Sequence, residues 1–172
     1  MTSSPPDDKL LAKAFSIIED TPDLEVVTHL RDLMNVDHVL YYLPRANAAA
    51  YIRFTYPASW ISRYLQMDYA HVDPIQREGF QRTLPFNWNE LKIQSAAEAS
   101  FLADALSHGI GPHGFCVPLS KHGHRALFSI SSSRTEQEWT KFLATVESAI
   151  VQIADRLHRR AVIDILGADE RG

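Results

Sequence analysis

The chain has 172 residues, 45% hydrophobic and 22% charged, a composition typical of one globular domain with a sizeable core. Its net charge of −4 and pI of about 6.0 argue against nucleic-acid binding by this chain alone, because phosphate contacts need clustered Lys and Arg. The single cysteine, Cys116, excludes an internal disulfide and fits a reducing cytoplasm. The polar start lacks the features of a signal peptide, and no stretch approaches the roughly 20 apolar residues of a membrane span, so we expect a cytoplasmic protein with no membrane partner.

The first third of the sequence predicts two helices followed by two strands. Apolar residues within 7–20 recur at helical spacing, and Thr21-Pro22 has the form of a helix cap followed by a first-turn proline. The apolar residues of this second helix share one predicted face: Leu24, Val27, Leu30 and Met34. The runs 38–44 and 50–56 then predict two strands joined by a short turn.

The middle of the sequence alternates helix starts with a short strand. Pro57 suits the first turn of a helix that runs to about Gln66. Asp73 followed by Pro74 signals the start of another helix, with the aspartate as its cap. Residues 84–88 then predict a third strand.

The last part of the sequence predicts a helix, a hairpin and a long closing helix. Residues 95–109 form the helix, and 114–120 and 125–133 form the strand pair. Thr135 and Glu138 have the spacing of a capping box, after which one apolar face continues. That face comprises Trp139, Phe142, Leu143, Val146, Ile150, Ile153 and Leu157. It either covers the sheet or takes part in a dimer.

These elements predict an α/β fold. Most neighbouring strands have short connections, so the sheet, of about five strands, is expected to be antiparallel. The helices come before, between and after the strands, and they must cover both faces of the sheet. The expected architecture is therefore an α-β-α sandwich.

Three large aromatic residues, Tyr56, Trp60 and Tyr64, follow one another at four-residue spacing. On a helix this spacing places side chains on one face, and the three span roughly 12 Å of axis. The face is either ordinary core or the lining of a cavity. Tyr and Trp each carry a polar group that needs a partner when buried, which favours the lining of a cavity that holds something polar.

Three further residues have both a structural and a functional interpretation. Asp73 caps a helix, accepts a hydrogen bond from a ligand amide, or does both with its two oxygens. Trp88, at the end of an apolar strand segment, is core when considered alone. Alternation in the last strand puts Leu127 and Ser129 on the face opposite Phe128, so Ser129 offers a hydroxyl if that face meets a cavity.

Several pieces of the sequence occur in one order: Tyr56, Trp60, Tyr64, DYAHVDP (68–74), LPFNW (84–88), GFCVPL (114–119) and ALFSIS (126–131). Together they resemble the autoinducer-binding domain of LuxR-type quorum-sensing regulators, and the resemblance covers roughly residues 5–165. It implies a five-stranded antiparallel sheet between helical layers that encloses an N-acyl-homoserine lactone, with no cofactor and no catalytic activity. It also implies a homodimer that contacts DNA through a separate C-terminal helix-turn-helix domain.

The resemblance also implies a role for each residue singled out above. Trp60 would donate its indole N–H to the lactone carbonyl, and Asp73 would accept the ligand's amide N–H. Tyr56 and Ser129 would donate hydroxyls to the amide carbonyl, and Trp88 would pack against the lactone ring. The surroundings of the head group and the acyl channel would be lined by Tyr64, Leu40, Ile52, Ile75, Phe101 and Leu127.

Two features depart from the family pattern. Ile61 stands where some members carry an arginine that helps to hold a 3-oxo group, so this chain lacks that contact with a 3-oxo group. The helix-turn-helix domain is missing from the sequence. We expect residues 1–166 to form the autoinducer-binding domain and residues 167–172 to begin a linker to that domain.

Two rival functions remain open. An enzyme would use Cys116 as a nucleophile with His113, His122 or His124 as its base, but a lone cysteine in an apolar strand is usually inert. The pair His122 and His124 is a weak signal for a metal site. The second rival is a PAS- or GAF-like sensor or protein-interaction domain that takes a different ligand.

Overall fold

The computed structural model describes the backbone of residues 6–171 and the side chains of residues 8–167. The helices are α1 (Pro6–Asp20), α2 (Val26–Met34), α3 (Ala58–Gln66), α4 (Pro74–Gln81), α5 (Ala96–Ser107) and α6 (Glu136–Arg171). The strands are β1 (His38–Leu43), β2 (Tyr51–Phe54), β3 (Phe86–Asn87), β4 (His113–Leu119) and β5 (Ala126–Ser132). Short 3-10 turns occur at Asp23–Glu25, Tyr69–His71, Trp88–Glu90 and Lys121–Gly123.

The strands form one five-stranded sheet in the order β2-β1-β5-β4-β3, and every neighbouring pair is antiparallel. The central strand β5 pairs with β1 on one side and β4 on the other. Ser129 lies opposite Leu40 of β1 and Cys116 of β4, so these three side chains share one face of the sheet. The predicted antiparallel sheet is confirmed.

The alternation of side chains in β5 divides the interior into two cores. Phe128 and Ile130 pack in a core with residues of α1, α2 and α6. Leu127 points to the other face and packs in a second core with residues of α3 and α5, with side chains of α4 against it. The sheet therefore has helices on both faces, which confirms the predicted α-β-α sandwich.

Helix α6 covers the sheet with its apolar face. Trp139 is 1% exposed, and its indole N–H donates to the Asn87 side-chain oxygen at 3.2 Å. The capping box is also present, because Glu138 N–H donates to Thr135 Oγ1 while Thr135 N–H donates to the Glu138 carboxylate. Of the two interpretations of this face, covering the sheet is the one that the buried Trp139 supports.

The end of α6 lies in the segment expected to begin a linker. The helix continues through Arg171, so residues 167–171 are helical, and Gly172 lies outside the described residues. That these residues lead to a second domain stays a prediction. Although α6 has 36 residues, neither it nor any other helix in residues 6–171 has the apolar stretch needed to cross a membrane.

The start of the second helix was predicted wrongly. A 3-10 turn occupies Asp23–Glu25, α2 begins only at Val26, and no side chain caps either start. A 3-10 turn has about three residues per turn instead of 3.6, so it shifts the helical face. Leu24 is consequently 75% exposed, whereas Val26 and Val27 are buried in its place.

Two strands are shorter than the sequence predicts. Strand β2 ends at Phe54 instead of residue 56, because the Thr55 side-chain hydroxyl, and not a backbone carbonyl, accepts the N–H of Val39 at 2.9 Å. Strand β3 contains only Phe86 and Asn87, because the Asn87 side chain accepts a hydrogen bond from Asn89 N–H and turns the chain into a 3-10 segment. Both changes affect the cavity: Tyr56 and Trp88 were predicted as the last residues of their strands, and the structure places them beyond the strand ends.

Candidate ligand-binding cavity

A cavity of about 330 Å³ lies between the sheet and helices α3, α4 and α5. The structure places all eleven predicted site residues around it: Tyr56, Trp60, Tyr64, Asp73, Trp88, Ser129, Leu40, Ile52, Ile75, Phe101 and Leu127. The volume is in the range of small-molecule sites, which begins at roughly 300 Å³. The structure shows that the eleven predicted residues line one cavity. Their contacts with a ligand stay a prediction.

The aromatic stretch supplies one wall of this cavity. Pro57 is extended and precedes the first residue of α3, so Tyr56 lies just outside the helix while Trp60 and Tyr64 lie on it. The rings of Trp60 and Tyr64 are 5.9 Å apart and nearly perpendicular, and Trp60 is 2% exposed. The edge-to-face contact is a favourable arrangement for aromatic rings. The stretch thus serves both as core and as cavity lining.

Asp73 uses its two oxygens for different purposes. Oδ1 accepts hydrogen bonds from the backbone N–H of Ile75 at 2.9 Å and of Gln76 at 3.2 Å, which caps α4. Oδ2 accepts the hydroxyl of Tyr64 at 2.8 Å. The predicted cap is confirmed, and the second oxygen bonds Tyr64, which lines the cavity together with Asp73. An oxygen of an ionised carboxylate accepts more than one hydrogen bond, so Oδ2 retains acceptor capacity.

Burial makes the Asp73 carboxyl a weaker acid than usual. Removal of the carboxylate from water raises its pKa to about 6, although the hydrogen bonds from Tyr64 and the two backbone N–H groups oppose that rise. The same burial, with the nearby Asp73 charge, raises the pKa of Tyr64 and of Tyr56, which keeps both phenols protonated as donors. The cavity therefore places one acceptor that ionises near neutral pH beside two hydroxyl donors.

Two other polar groups at the cavity are poorly satisfied. Ser129 is 2% exposed and Trp88 is 7% exposed; the Trp88 indole N–H has no hydrogen-bond partner within the described part of the chain, and the Ser129 hydroxyl has only the weakly hydrogen-bonding Cys116 thiol beside it there. A buried polar group without a partner costs about 1–3 kcal/mol. A guest with acceptor oxygens would relieve that cost.

Gly114 leaves the space in which the Trp88 ring lies. A Cβ on Gly114 would come within 2.1 Å of the indole ring, so only glycine allows the ring to lie directly on β4. Side chains at positions 114, 116 and 118 of β4 face the cavity side, as the pairing of Cys116 with Ser129 shows. Gly114 thus makes the space that places Trp88 at the cavity wall.

The remaining walls are apolar. Leu40 and Leu127 form part of the sheet floor, while Ile52 and Phe54 of the edge strand β2 are 38% and 37% exposed and lie where the cavity approaches the surface. Sequence reasoning missed several lining residues: Phe54, Gln76, Leu91, Leu102, Ala103, Ala105, Leu106, Ile110, Gly111 and Pro112. The alternation of β2 places Phe54 with Ile52, so Phe54 was within reach of the same argument.

The cysteine and histidines considered for catalysis lie apart. Cys116 is fully buried on the cavity side of the sheet, and burial raises the pKa of its thiol to about 12. The ring of His113 stacks on Trp139 in the opposite layer, and His122 lies in a 3-10 turn near His158. The described residues also contain no group of three or more His, Cys, Asp or Glu side chains that could hold a metal ion.

Comparison with known proteins identifies the family. Residues 24–161 match the family model described as the autoinducer binding domain, which is more than half of the chain. The chain belongs to the autoinducer-binding domains of LuxR-type quorum-sensing regulators. A relative of this domain, the transcriptional activator protein RaiR of Rhizobium etli, is 29% identical over 113 residues. The match covers 65% of this chain and 47% of RaiR, so the autoinducer-binding domain spans about half the length of that relative.

Solved structures agree with the fold of an autoinducer-binding domain. The N-acylhomoserine lactone-dependent LuxR-family factor CepR2 of Burkholderia cenocepacia superposes with a TM-score of 0.75 at 16% identity, covering 93% of this chain and 98% of CepR2. Escherichia coli SdiA superposes with a TM-score of 0.64 at 16% identity, covering 91% of this chain and 68% of SdiA. At these identities the superpositions establish the architecture.

Proposed function

We propose that this domain binds an N-acyl-homoserine lactone in the cavity and reports its presence to a transcriptional regulator. The observation that carries the proposal is that Asp73 lines the cavity while its Oδ2 accepts one donor, Tyr64, and has capacity for another. A buried carboxylate among apolar walls is costly unless it accepts hydrogen bonds. An amide N–H from a ligand is a donor of the right kind.

The polar groups of the ligand have matching partners in the cavity. Trp60 donates its indole N–H to the lactone carbonyl, and Tyr56 and Ser129 donate hydroxyls to the amide carbonyl. The Ser129 hydroxyl supports this role, because a thiol is a weak hydrogen-bond partner and an acceptor oxygen would satisfy the hydroxyl better. Trp88 packs against the lactone ring. The absence of a side chain on Gly114 leaves room for the Trp88 indole at this position.

The apolar walls suit an acyl chain. Leu40, Leu127, Ile75 and Phe101 line the cavity, and each buried CH₂ of the chain contributes about 0.8 kcal/mol. Ile61 is also a lining residue and offers no hydrogen-bond donor from its side chain. These features favour a chain without a 3-oxo group.

Occupancy of the cavity is coupled to the amount of folded protein. Ligand at 100 times its dissociation constant adds about 2.7 kcal/mol to the free energy of unfolding, which is a large share for a marginally stable domain. Folded domains then form a homodimer in the cytoplasm and act on DNA through a C-terminal domain beyond this chain. The domain has no catalytic role in this scheme, which is consistent with the buried, protonated thiol of Cys116.

The test is calorimetric titration of N-octanoyl-homoserine lactone into the wild-type chain and Asp73→Asn. Asparagine caps a helix nearly as well as aspartate but supplies a neutral acceptor, so we expect affinity to fall at least about tenfold while the fold is retained. Equal affinity would show that Asp73 acts only as a cap. Absence of lactone binding to the wild-type chain would favour the alternative of a GAF-like sensor that takes a different ligand.

A further inference from the structure

The indole of Trp60 is surrounded by other aromatic rings. Four rings have centroids 5.2–5.9 Å from it: Tyr64, Tyr69, Phe101 and His108. Tyr64 and Phe101 line the cavity themselves, whereas Tyr69 and His108 are not lining residues. The orientation of Trp60 therefore depends in part on residues that lie behind the cavity wall.

Both of those outer rings are bound to one residue, Asp104 of α5. The hydroxyl of Tyr69 donates to Asp104 Oδ2 at 2.5 Å. Nδ1 of His108 lies 2.8 Å from the Asp104 backbone oxygen and donates to it, and it is 3.6 Å from Oδ1. One residue thus contacts two of the four rings around Trp60, Tyr69 through its carboxylate and His108 through its backbone oxygen.

Asp104 also fixes the helix that carries Trp60. Arg63, three residues after Trp60 on α3, donates its Nε–H to Asp104 Oδ2 at 2.7 Å. The hydrogen bonds from Arg63 and Tyr69 hold the pKa of Asp104 below its usual value, so it is a charged acceptor at neutral pH. Its side chain is only 16% exposed and does not line the cavity, although Ala103 and Ala105 on either side of it do.

We propose that Asp104 is a positioning residue of the ligand cavity, whose carboxylate holds α3 against α5 and fixes the Trp60 indole through Arg63 and Tyr69. Without the carboxylate, α3 loses its link to α5 and Tyr69 loses its anchor. The Trp60 indole then samples orientations in which its N–H no longer meets the guest. The identity of the guest rests on the proposed function; the positioning of the indole does not.

The chain contains a matched control of the same chemistry. Asp23 accepts the hydroxyl of Tyr51 at 2.6 Å and the Nε–H of Arg53 at 3.0 Å, which repeats the Asp-Tyr-Arg arrangement of Asp104. None of these three residues lines the cavity. Asp23→Asn therefore removes comparable hydrogen bonds at a site that the proposal does not connect to Trp60.

The first measurement needs no ligand. The chain has three tryptophans, and ¹⁹F spectra of protein labelled with 5-fluorotryptophan resolve them, with the Trp60 signal assigned by its loss in Trp60→Phe. We expect Asp104→Asn to shift or broaden the Trp60 signal and to leave that of Trp139 in place. Asp23→Asn should leave all three unchanged. An unaltered Trp60 signal in Asp104→Asn, or the same change in both variants, overturns the proposal.

The second measurement is a double-mutant cycle on the affinity for N-octanoyl-homoserine lactone. We expect Asp104→Asn to weaken binding about tenfold in the wild-type background and less than about twofold in the Trp60→Phe background, because its effect passes through Trp60. Equal losses in the two backgrounds would assign Asp104 a general structural role and overturn the proposal.

A second variant and the wild-type titration cover the cases in which Asp104→Asn does not fold or no lactone binds. Should Asp104→Asn fail to fold, Tyr69→Phe keeps the ring and removes one hydrogen bond, with Tyr51→Phe as its control. We expect Tyr69→Phe to alter the Trp60 signal and Tyr51→Phe to leave it unchanged; the reverse overturns the proposal. A wild-type chain that binds no lactone rejects the proposed function, and the ¹⁹F spectra then decide the role of Asp104 alone.

Discussion

Asp73→Asn should make the ligand-free domain more stable at high pH, although it weakens ligand binding. The carboxyl has a pKa of about 6 in the folded chain, against an ordinary value of 3.8. When the pKa of a carboxyl is higher in the folded chain than its ordinary value, the charged form of that carboxyl destabilises the fold. The free energy of unfolding therefore falls as the pH rises from about 4 to about 6, and the penalty is complete above that range.

The size of the effect follows from the shift. At about 1.4 kcal/mol per pKa unit, the charge costs about 3 kcal/mol near pH 8 and about 1 kcal/mol near pH 4.5. Asparagine avoids that charge but has a single oxygen for the backbone N–H groups and Tyr64, so it loses about 1 kcal/mol of hydrogen bonding. The variant should thus gain about 2 kcal/mol near pH 8 and almost nothing near pH 4.5.

Urea unfolding of the ligand-free wild type and Asp73→Asn at both pH values gives this difference directly. Asp23→Asn is the control, because Tyr51 and Arg53 lower the pKa of Asp23 despite its burial, so its charge stabilises the fold. Loss of that charge should cost stability equally at both pH values. A stability difference between Asp73→Asn and wild type that does not change with pH would refute the argument that burial strains this carboxylate.

Two further predictions concern the neighbours of the ligand. Gly114→Ala places a Cβ 2.1 Å from the Trp88 ring and should displace it, which lowers the melting temperature and weakens N-octanoyl-homoserine lactone binding at least about tenfold. Unchanged affinity, measured by calorimetry, would show that Trp88 does not contact the head group of the ligand. Tyr64→Phe removes the hydrogen bond that lowers the pKa of Asp73, so the pH midpoint of lactone binding should move upwards. A midpoint that stays in place or moves downwards would contradict the assigned link between the two residues.

The two periodicities of the backbone explain how much of this fold is predictable from sequence. Alternation in β5 predicted that Leu127 and Ser129 face away from Phe128, because successive strand side chains must point to opposite faces. The four-residue spacing of Trp60 and Tyr64 likewise predicted a shared helical face. Asp73-Pro74 predicted a helix start because proline needs no partner for its nitrogen in the first turn.

The features that were not predicted from the sequence depend on something other than these two periodicities. The exposed Leu24 reflects a 3-10 turn, whose shorter period local composition does not specify. Apart from Phe101, the lining residues of α5 and the following loop were missed because α5 is apolar or small on several faces, so its sequence does not say which face meets the cavity. Asp104 was not singled out because its partners Arg63 and Tyr69 lie 41 and 35 residues away, and only the folded chain brings them together.

In the proposed function, Asp73 accepts the amide N–H of a bound acyl-homoserine lactone. The most direct measurement compares N-octanoyl-homoserine lactone with its ester analogue, in which oxygen replaces that N–H, on the wild-type chain and on Asp73→Asn. We predict that the wild type binds the amide at least about tenfold more tightly than the ester and that Asp73→Asn distinguishes them far less. Equal affinity of the wild type for the two ligands would contradict the claim.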